Sequence, residues 1–306
     1  MIKSKKKKIF LIVIFIAVLI AAILYMLADR YLIEHVEKQE IKAADTSVSK
    51  KEDSVAQYDD WSYKSGTAEI KINKVTQGSG ADQVTYYTAD VKLQDAAVLK
   101  SAFAEGKFGR NIVENTSSIA KDNNAVFAIN GDYYGFRSDG ILIRNGEVYR
   151  DIPTRVGAAF YKDGSLKPYD ETSETANQLI AEGVLHTLSF GPALVMDGKV
   201  AESFDKVAID KNFGNRSIQG FNPRTGIGML EPNHFVFIVV DGRSESYSKG
   251  MTLNQFAQLF ADYGCTEAYN LDGGGSSTMY FMGRVVNNPL GKQEERAVSD
   301  ILYISE

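Results

Sequence analysis

Between Ile9 and Leu27 the chain carries no charged residue. As a helix this run would reach roughly 28 Å, close to the hydrocarbon thickness of a bilayer, and no polar face interrupts it to suit the edge of a soluble core. It therefore reads as one transmembrane helix. Lys3 and Lys5 to Lys8 precede it, which places the N-terminus in the cytoplasm and the long C-terminal part outside. A cleaved signal peptide is the competing reading; the length of the run and the lack of an A-x-A site directly after it favour a retained anchor. The expected organisation is a basic cytoplasmic tail at 1–8, a transmembrane helix at 9–28, an extracytoplasmic stalk at 29–60 and one folded domain at 61–306.

The exported part is acidic. Without the five N-terminal lysines, 29 basic residues stand against 39 acidic ones, a formal charge of −10 that disfavours a nucleic-acid partner. Cys265 is the single cysteine, so no internal disulfide can form, as suits an exported domain held by its core. Cys265 itself reads as a small buried apolar residue. A chain of 306 residues, 44% of them apolar, can supply such a core, and 26 glycines with 16 tyrosines and 16 phenylalanines lean toward strands joined by tight turns. The expected class is α+β: a mixed, sheet-rich domain with a few helices, preceded by the transmembrane helix. From Glu34 to Asp60 the chain is charged and poor in large apolar residues, the composition of a solvated stalk.

Within the domain, Glu69–Val75 and Val84–Leu93 read as strands, and Ala125–Ile129 as a buried one. Asn111–Asn123 resembles a short helix with Asn115 as its cap, and Ser173–Glu182 another capped by Ser173. Asn145-Gly146, Asp163-Gly164 and Asp197-Gly198 each separate strand-like residues and signal hairpins. Past a polar, irregular stretch ending near Ser217, Phe235–Val240 is a continuous apolar run, as expected of a central strand buried on both faces. Thr252 and Gln255 form a capping box for a helix to Tyr263 with an apolar face of Leu253, Phe256, Ala257 and Phe260. Asp300–Ile304 returns as the last strand.

Chemistry gathers where buried strands break into glycine. Glu267–Leu271 ends at Asp272, followed by Gly273, Gly274 and Gly275 and then Ser276, Ser277 and Thr278. Three bare residues let a ligand approach the backbone, and their amides can converge on an anion. A tight hairpin turn is the bland alternative. No lysine follows the glycines, so this is no Walker loop, and no G-x-S-x-G occurs here. Asp241 likewise ends the Phe235–Val240 strand before Gly242, and a strand, helix, strand unit brings the two carboxylates to one edge of a sheet. Asn130-Gly131-Asp132 is a third such break, more often a turn than a site when alone. His35, His186 and His234 lack zinc-ligand spacing.

With these residues in place, the domain resembles the phosphodiester glycosidase family from about Ala125 to Glu306. The resemblance rests on NGDYY at 130–134, FGPALVMDGK at 190–199, NPRTGIG at 222–228, VDGR at 240–243 with Gly250, NLDGGGSSTM at 270–279, and Arg296. It implies cleavage of a carbohydrate from a phosphodiester. Many relatives have glycine where Asp132 stands, so the resemblance does not make Asp132 a catalytic acid.

Such a bond has a good leaving group. The site then needs cations and amides on the phosphate and a carboxylate at the anomeric carbon or its attacking water. The expected catalytic residues are Asp272 and Asp241. Arg224, Arg243 and Arg296 are expected on the phosphate. Asn130, Gly131, Asp132, Thr225, Asn270, Gly273, Gly274, Gly275, Ser276 and Ser277 are expected to complete the substrate site. An oxygen-ligated Ca²⁺ or Mg²⁺ held by aspartates stays open. The implied setting is the membrane of a bacterium of Gram-positive type, acting on a phosphorylated envelope polymer or exopolysaccharide. A non-catalytic binding or assembly factor for such a polymer, or a structural membrane-tethered module, are the alternatives, and turnover separates them.

Overall fold

The computed structural model describes residues 2–41, 55–202, 204, 205, 207, 209 and 218–305. Residues 42–54 of the expected stalk, and most of the polar stretch before Ile218, lie outside them. One helix spans Ile2–Tyr31, and its segment Lys8–Tyr31 is long and apolar enough to cross a membrane.

The domain is built around two antiparallel sheets, the largest of five among the described residues. In the larger, with nine strands among the described residues, the central trio is Glu267–Asn270, Arg224–Glu231 and His234–Val240; Val84–Leu93 and Ala68–Gln77 continue it. In the smaller, Met279–Phe281, Ala125–Asn130, Asp300–Ser305 and Lys100–Phe103 lie side by side. The α+β, sheet-rich expectation holds.

Period-two alternation explains how the sheets are held. From Phe235 to Val240 every residue is buried, and alternate side chains enter different cores. Phe235, Phe237 and Val239 face the space between the sheets, where the Phe237 ring meets Phe127 at 5.2 Å. Val236, Ile238 and Val240 face the helix Leu253–Asp262. Burying each such side chain contributes about 1.5–3 kcal/mol. The helix lies close because Gly226 and Gly228 leave room for it: a Cβ at Gly228 would stand 2.6 Å from Phe260 Cδ1 and 2.6 Å from Cys265 Sγ. Two glycines of the NPRTGIG motif thus serve packing.

The Thr252–Gln255 capping box forms as expected. The earlier helix is Ala176–Ala181, and its cap is Thr175, not Ser173; Thr175 makes a reciprocal box with Gln178, whereas Ser173 closes a preceding 3₁₀ turn. Asn115 precedes Thr116–Asp122 without a side-chain cap bond, and Glu295 takes the amide of Ser117 instead.

The stalk expectation needs correction for its described part. His35–Gln39 forms an antiparallel ladder with Lys107–Arg110. Lys38 Nζ reaches Glu147 at 2.6 Å, and the Ile41 amide donates to Tyr149 Oη at 2.9 Å. The segment directly after the apolar helix is part of the domain.

Candidate active site

The strand Arg224–Glu231 lies between His234–Val240 and Glu267–Asn270, antiparallel to each. Its two neighbours therefore run the same way and end at the same edge, with Val240 opposite Arg224 and Asn270 opposite Gly226. Asp241 and Asp272 follow those ends, so the topology inferred for the two carboxylates is the observed one. Their side chains then part company.

Asp272 faces the glycine turn. Its Oδ2 accepts from Ser276 Oγ at 2.6 Å and from Arg296 Nη2 at 3.2 Å, while Oδ1 accepts no hydrogen bond among the described residues. The side chain keeps 12% exposure. Burial raises its pKa above the ordinary carboxylate value; Arg296, Ser276 and Arg137 work against that, and Asp132 adds to it. Asp241 is fully buried. Its carboxylate accepts from Asn287 Nδ2 at 2.8 Å, Tyr247 Oη at 2.7 Å and the Asn288 amide at 3.0 Å. Asn287 in turn donates to Ser277 O and accepts from the Met279 amide. Asp241 thus holds the segment behind the glycine turn, in place of the open catalytic role expected of it.

Two of the three expected arginines flank the turn. Arg296, half exposed, donates to Ser276 Oγ, Gly273 O and Asp272, and a Cβ at Gly275 would stand 3.2 Å from its Cβ and Cδ. Arg243 is held in the left-handed region at φ 57°, and both Nε and Nη2 donate to Asn222 Oδ1. A Cβ on Gly274 would lie 3.4 Å from its Nη1 and Nη2. Burial lowers the Arg243 pKa, with Arg296 adding to the effect, so two cations converge on one turn. Arg224 lies near Arg243, but backbone carbonyls take its donors. Its Nε donates to Met251 O, and its Nη2 to Ile218 O and Gly220 O. Burial, with Arg243 nearby, pushes its pKa down to about 10. It pins the chain segments that carry Asn222 and Gly250, and so acts on the fold.

The turn itself is less of an amide nest than expected. The amides of Gly274, Ser276 and Ser277 donate to Pro223 O, Gly273 O and Gly274 O, leaving the guanidiniums as the principal positive charge. Ser276 touches Asp272 and Arg296 directly. Ser277 and Thr278 are buried, with hydroxyls that find no partner among the described residues. Asn130 ties the site together: Nδ2 donates to Asp272 O at 2.7 Å, and Oδ1 accepts from Thr225 Oγ1 and the Thr278 amide. Asn270 donates to Gly191 O. Asp132 accepts from the Tyr133 and Ser189 amides, so both its oxygens are engaged in the loop. Gly131 leaves room for the Asp300 carboxylate, and its amide donates to Asp300 O.

Several residues here carried no expectation from the sequence. Arg137 is buried between the Tyr133 and Phe190 rings, 5.2 Å from each centroid. Its Nη1 donates to Ser189 O, and its Nε and Nη2 have no hydrogen-bond partner among the described residues. Tyr133 stacks at 4.8 Å on Phe136, which is 40% exposed and presents an aromatic ring at the surface of the loop that follows Asp132. Asn222, Tyr247 and Asn287 orient Arg243 and Asp241. Phe190 and Asn222 sat in recognised motifs, and Arg137 follows the NGDYY break closely; Tyr247 and Asn287 had no such signal. Among the described residues no group of three His, Cys, Asp or Glu side chains could hold a metal ion.

This geometry can be set beside known proteins. The catalytic domain of zebrafish N-acetylglucosamine-1-phosphodiester alpha-N-acetylglucosaminidase, in a structure described as auto-inhibited by its pro-peptide, superposes with a TM-score of 0.63 at 22% identity, over 79% of this chain and 84% of that one. The fold is shared. An uncharacterized SPbeta prophage-derived protein of Bacillus subtilis, YomE, is 36% identical over 207 residues, and the Bos taurus enzyme of the same name as the zebrafish one is 27% identical over 214. These alignments take in 65% and 64% of this chain but only 30% and 39% of the relatives. Residues 123–305, which hold Asn130, Asp272 and both flanking arginines, match the family described as phosphodiester glycosidase. On that match and that fold, the chain belongs to the phosphodiester glycosidase family.

Proposed function

We propose that this protein hydrolyses a sugar-1-phosphodiester at the outer face of a membrane, releasing the free sugar and a phosphomonoester. The observation that carries the reading is Asp272, whose Oδ1 is open while its Oδ2 is fixed by Ser276 and Arg296 at a turn flanked by Arg243. In this reading Oδ1 takes a proton from water as the water oxygen bonds to the anomeric carbon. The bond from that carbon to the phosphate oxygen breaks, and the leaving oxygen keeps the electron pair as a phosphate anion. Arg243 and Arg296 offset that charge, and a phosphate needs little protonation, so one carboxylate suffices. The rim around Phe136 suits the apolar face of a sugar ring. The substrate belongs to a cell-envelope or exopolysaccharide glycoconjugate, and the apolar helix is its membrane anchor.

The test is turnover by the full chain of a sugar-1-phosphodiester, with free sugar and phosphomonoester quantified in parallel. Equal release of both products is expected, and Asp272→Asn should lower it by about 10²–10⁴-fold with folding intact. Tight binding without product would favour the binding or assembly reading. Unchanged turnover in Asp272→Asn would move the role to another residue.

A further inference from the structure

We infer that the cleft is held at the membrane surface by the first strand of the domain, and that its substrate is a sugar phosphodiester whose aglycone is a lipid in the same bilayer. This rests on the proposed reaction and names its substrate class.

The apolar helix ends at Tyr31 and the first strand begins at His35. That link is not loose. Asn111 Nδ2 donates to Asp29 O at 3.1 Å and to Ile33 O at 2.8 Å, gripping the chain on both sides of the helix end. Asn111 also donates its backbone amide to Gly135 O at 3.0 Å, and Gly135 lies in the Tyr134–Phe136 turn that follows Asp132 and Tyr133. One residue therefore touches both the membrane helix and the loop that flanks Asp272. Across a ladder each step is about 4.8 Å, so the turn stands roughly 10 Å from the strand that leaves the membrane. Further bonds fasten that strand: the Glu40 amide to Gly106 O, the Phe103 amide to Glu40, and Lys38 to Glu147.

The surface at this end mixes apolar and charged side chains: Leu32, Ile33 and Val36 are exposed between the exposed Arg30, Glu34 and Glu37, and Phe136 is exposed in the loop that follows Asp132. Val36 pairs with Gly109, and a Cβ on Gly135 would lie 3.7 Å from Gly109 O, so the backbone carrying Val36 is separated from the Tyr134–Phe136 turn by one strand. Such a rim favours the boundary between headgroups and acyl chains. A cleft so placed meets diesters displayed by lipids before it meets polymer strands far from the membrane.

The experiment uses the full chain in proteoliposomes. One substrate is a lipid-anchored sugar-1-phosphodiester in the same bilayer, and the other a water-soluble chromogenic one. A Gly/Ser insert of about 20 residues after Tyr31 adds roughly 25 Å of flexible reach. It should lower turnover of the lipid-anchored diester about tenfold through lost effective concentration, leaving the soluble diester unchanged, which also reports intact folding. Equal rates with and without the insert on the lipid-anchored diester overturn the inference. A nitroxide on Phe136→Cys supplies a readout independent of catalysis. Accessibility to a membrane-soluble relaxation agent is expected, and accessibility only to an aqueous one overturns the placement. Should neither diester be cleaved, the proposed reaction fails and the nitroxide alone decides the placement.

Discussion

Replacing Gly131 with alanine tests whether this residue serves the fold or a ligand. A Cβ there would lie 2.3 Å from Asp300 Oδ1 and 2.7 Å from its Cγ, so the carboxylate must move. Asp300 is buried with Arg144, whose Nε and Nη2 stand 2.8 and 2.7 Å from Oδ2, and its Oδ1 accepts the Asp132 amide at 2.8 Å. Overpacking alone costs about 1–3 kcal/mol, and breaking a buried ion pair about 3–5 kcal/mol. Since the methyl displaces the carboxylate without deleting it, Gly131→Ala should cost about 2–4 kcal/mol. In a domain of this size that is a fall in melting temperature of roughly 5–15 °C, read by near-ultraviolet circular dichroism of the full chain in detergent. Asp300→Ala removes the clash and strands Arg144, at a cost of about 3–5 kcal/mol. Adding Gly131→Ala to Asp300→Ala should then cost less than about 0.5 kcal/mol. A wild-type melting curve for Gly131→Ala, or simple additivity of the two changes, would refute the steric account and return Gly131 to the ligand.

Turnover that needs ionised Asp272 should be full at high pH and fall as pH drops through a pKa above the ordinary carboxylate range; Arg296→Gln removes a group that holds this pKa down, so the acid limb of kcat/KM should move to higher pH, and a downward move would contradict the assignment. Asp241→Asn should destabilise the protein by about 1–3 kcal/mol, since three donors lose a charged acceptor, yet retain at least about tenfold more turnover than Asp272→Asn. Arg224→Lys cannot reach three carbonyls at once and should cost about 2–3 kcal/mol in thermal unfolding, while inhibition by a phosphomonoester changes less than about twofold; Arg243→Lys should weaken that inhibition more.

Asp272, Arg243 and Arg296 were legible because each adjoins or faces a stretch without side chains, and a strand that stops at glycine shows itself in a linear pattern. The capping box at Thr252 and the strand buried on both faces were legible for the same reason, since both are local. What the pattern could not carry was the state of each polar atom. Asp241 and Asp272 occupy equivalent strand ends, and only Tyr247, Asn287 and Asn288, brought in by the fold, distinguish a carboxylate with three donors from one with an open oxygen. Arg224 looked like a phosphate ligand until three carbonyls claimed it.

The stalk misled for a different reason. Its charged composition spoke of solvent, but a β-ladder is made by backbone groups that every residue carries, so His35–Gln39 can join the domain while mostly exposing its side chains. That blindness bears on function. A strand whose side chains contribute little to the core is still a firm mechanical link, because each ladder bond fixes distance without demanding apolar surface. Through Asn111 this link runs from the end of the apolar helix to the loop beside Asp272. The end of the apolar helix and the loop beside Asp272 are therefore joined by hydrogen bonds through one residue, Asn111, with little apolar packing between them.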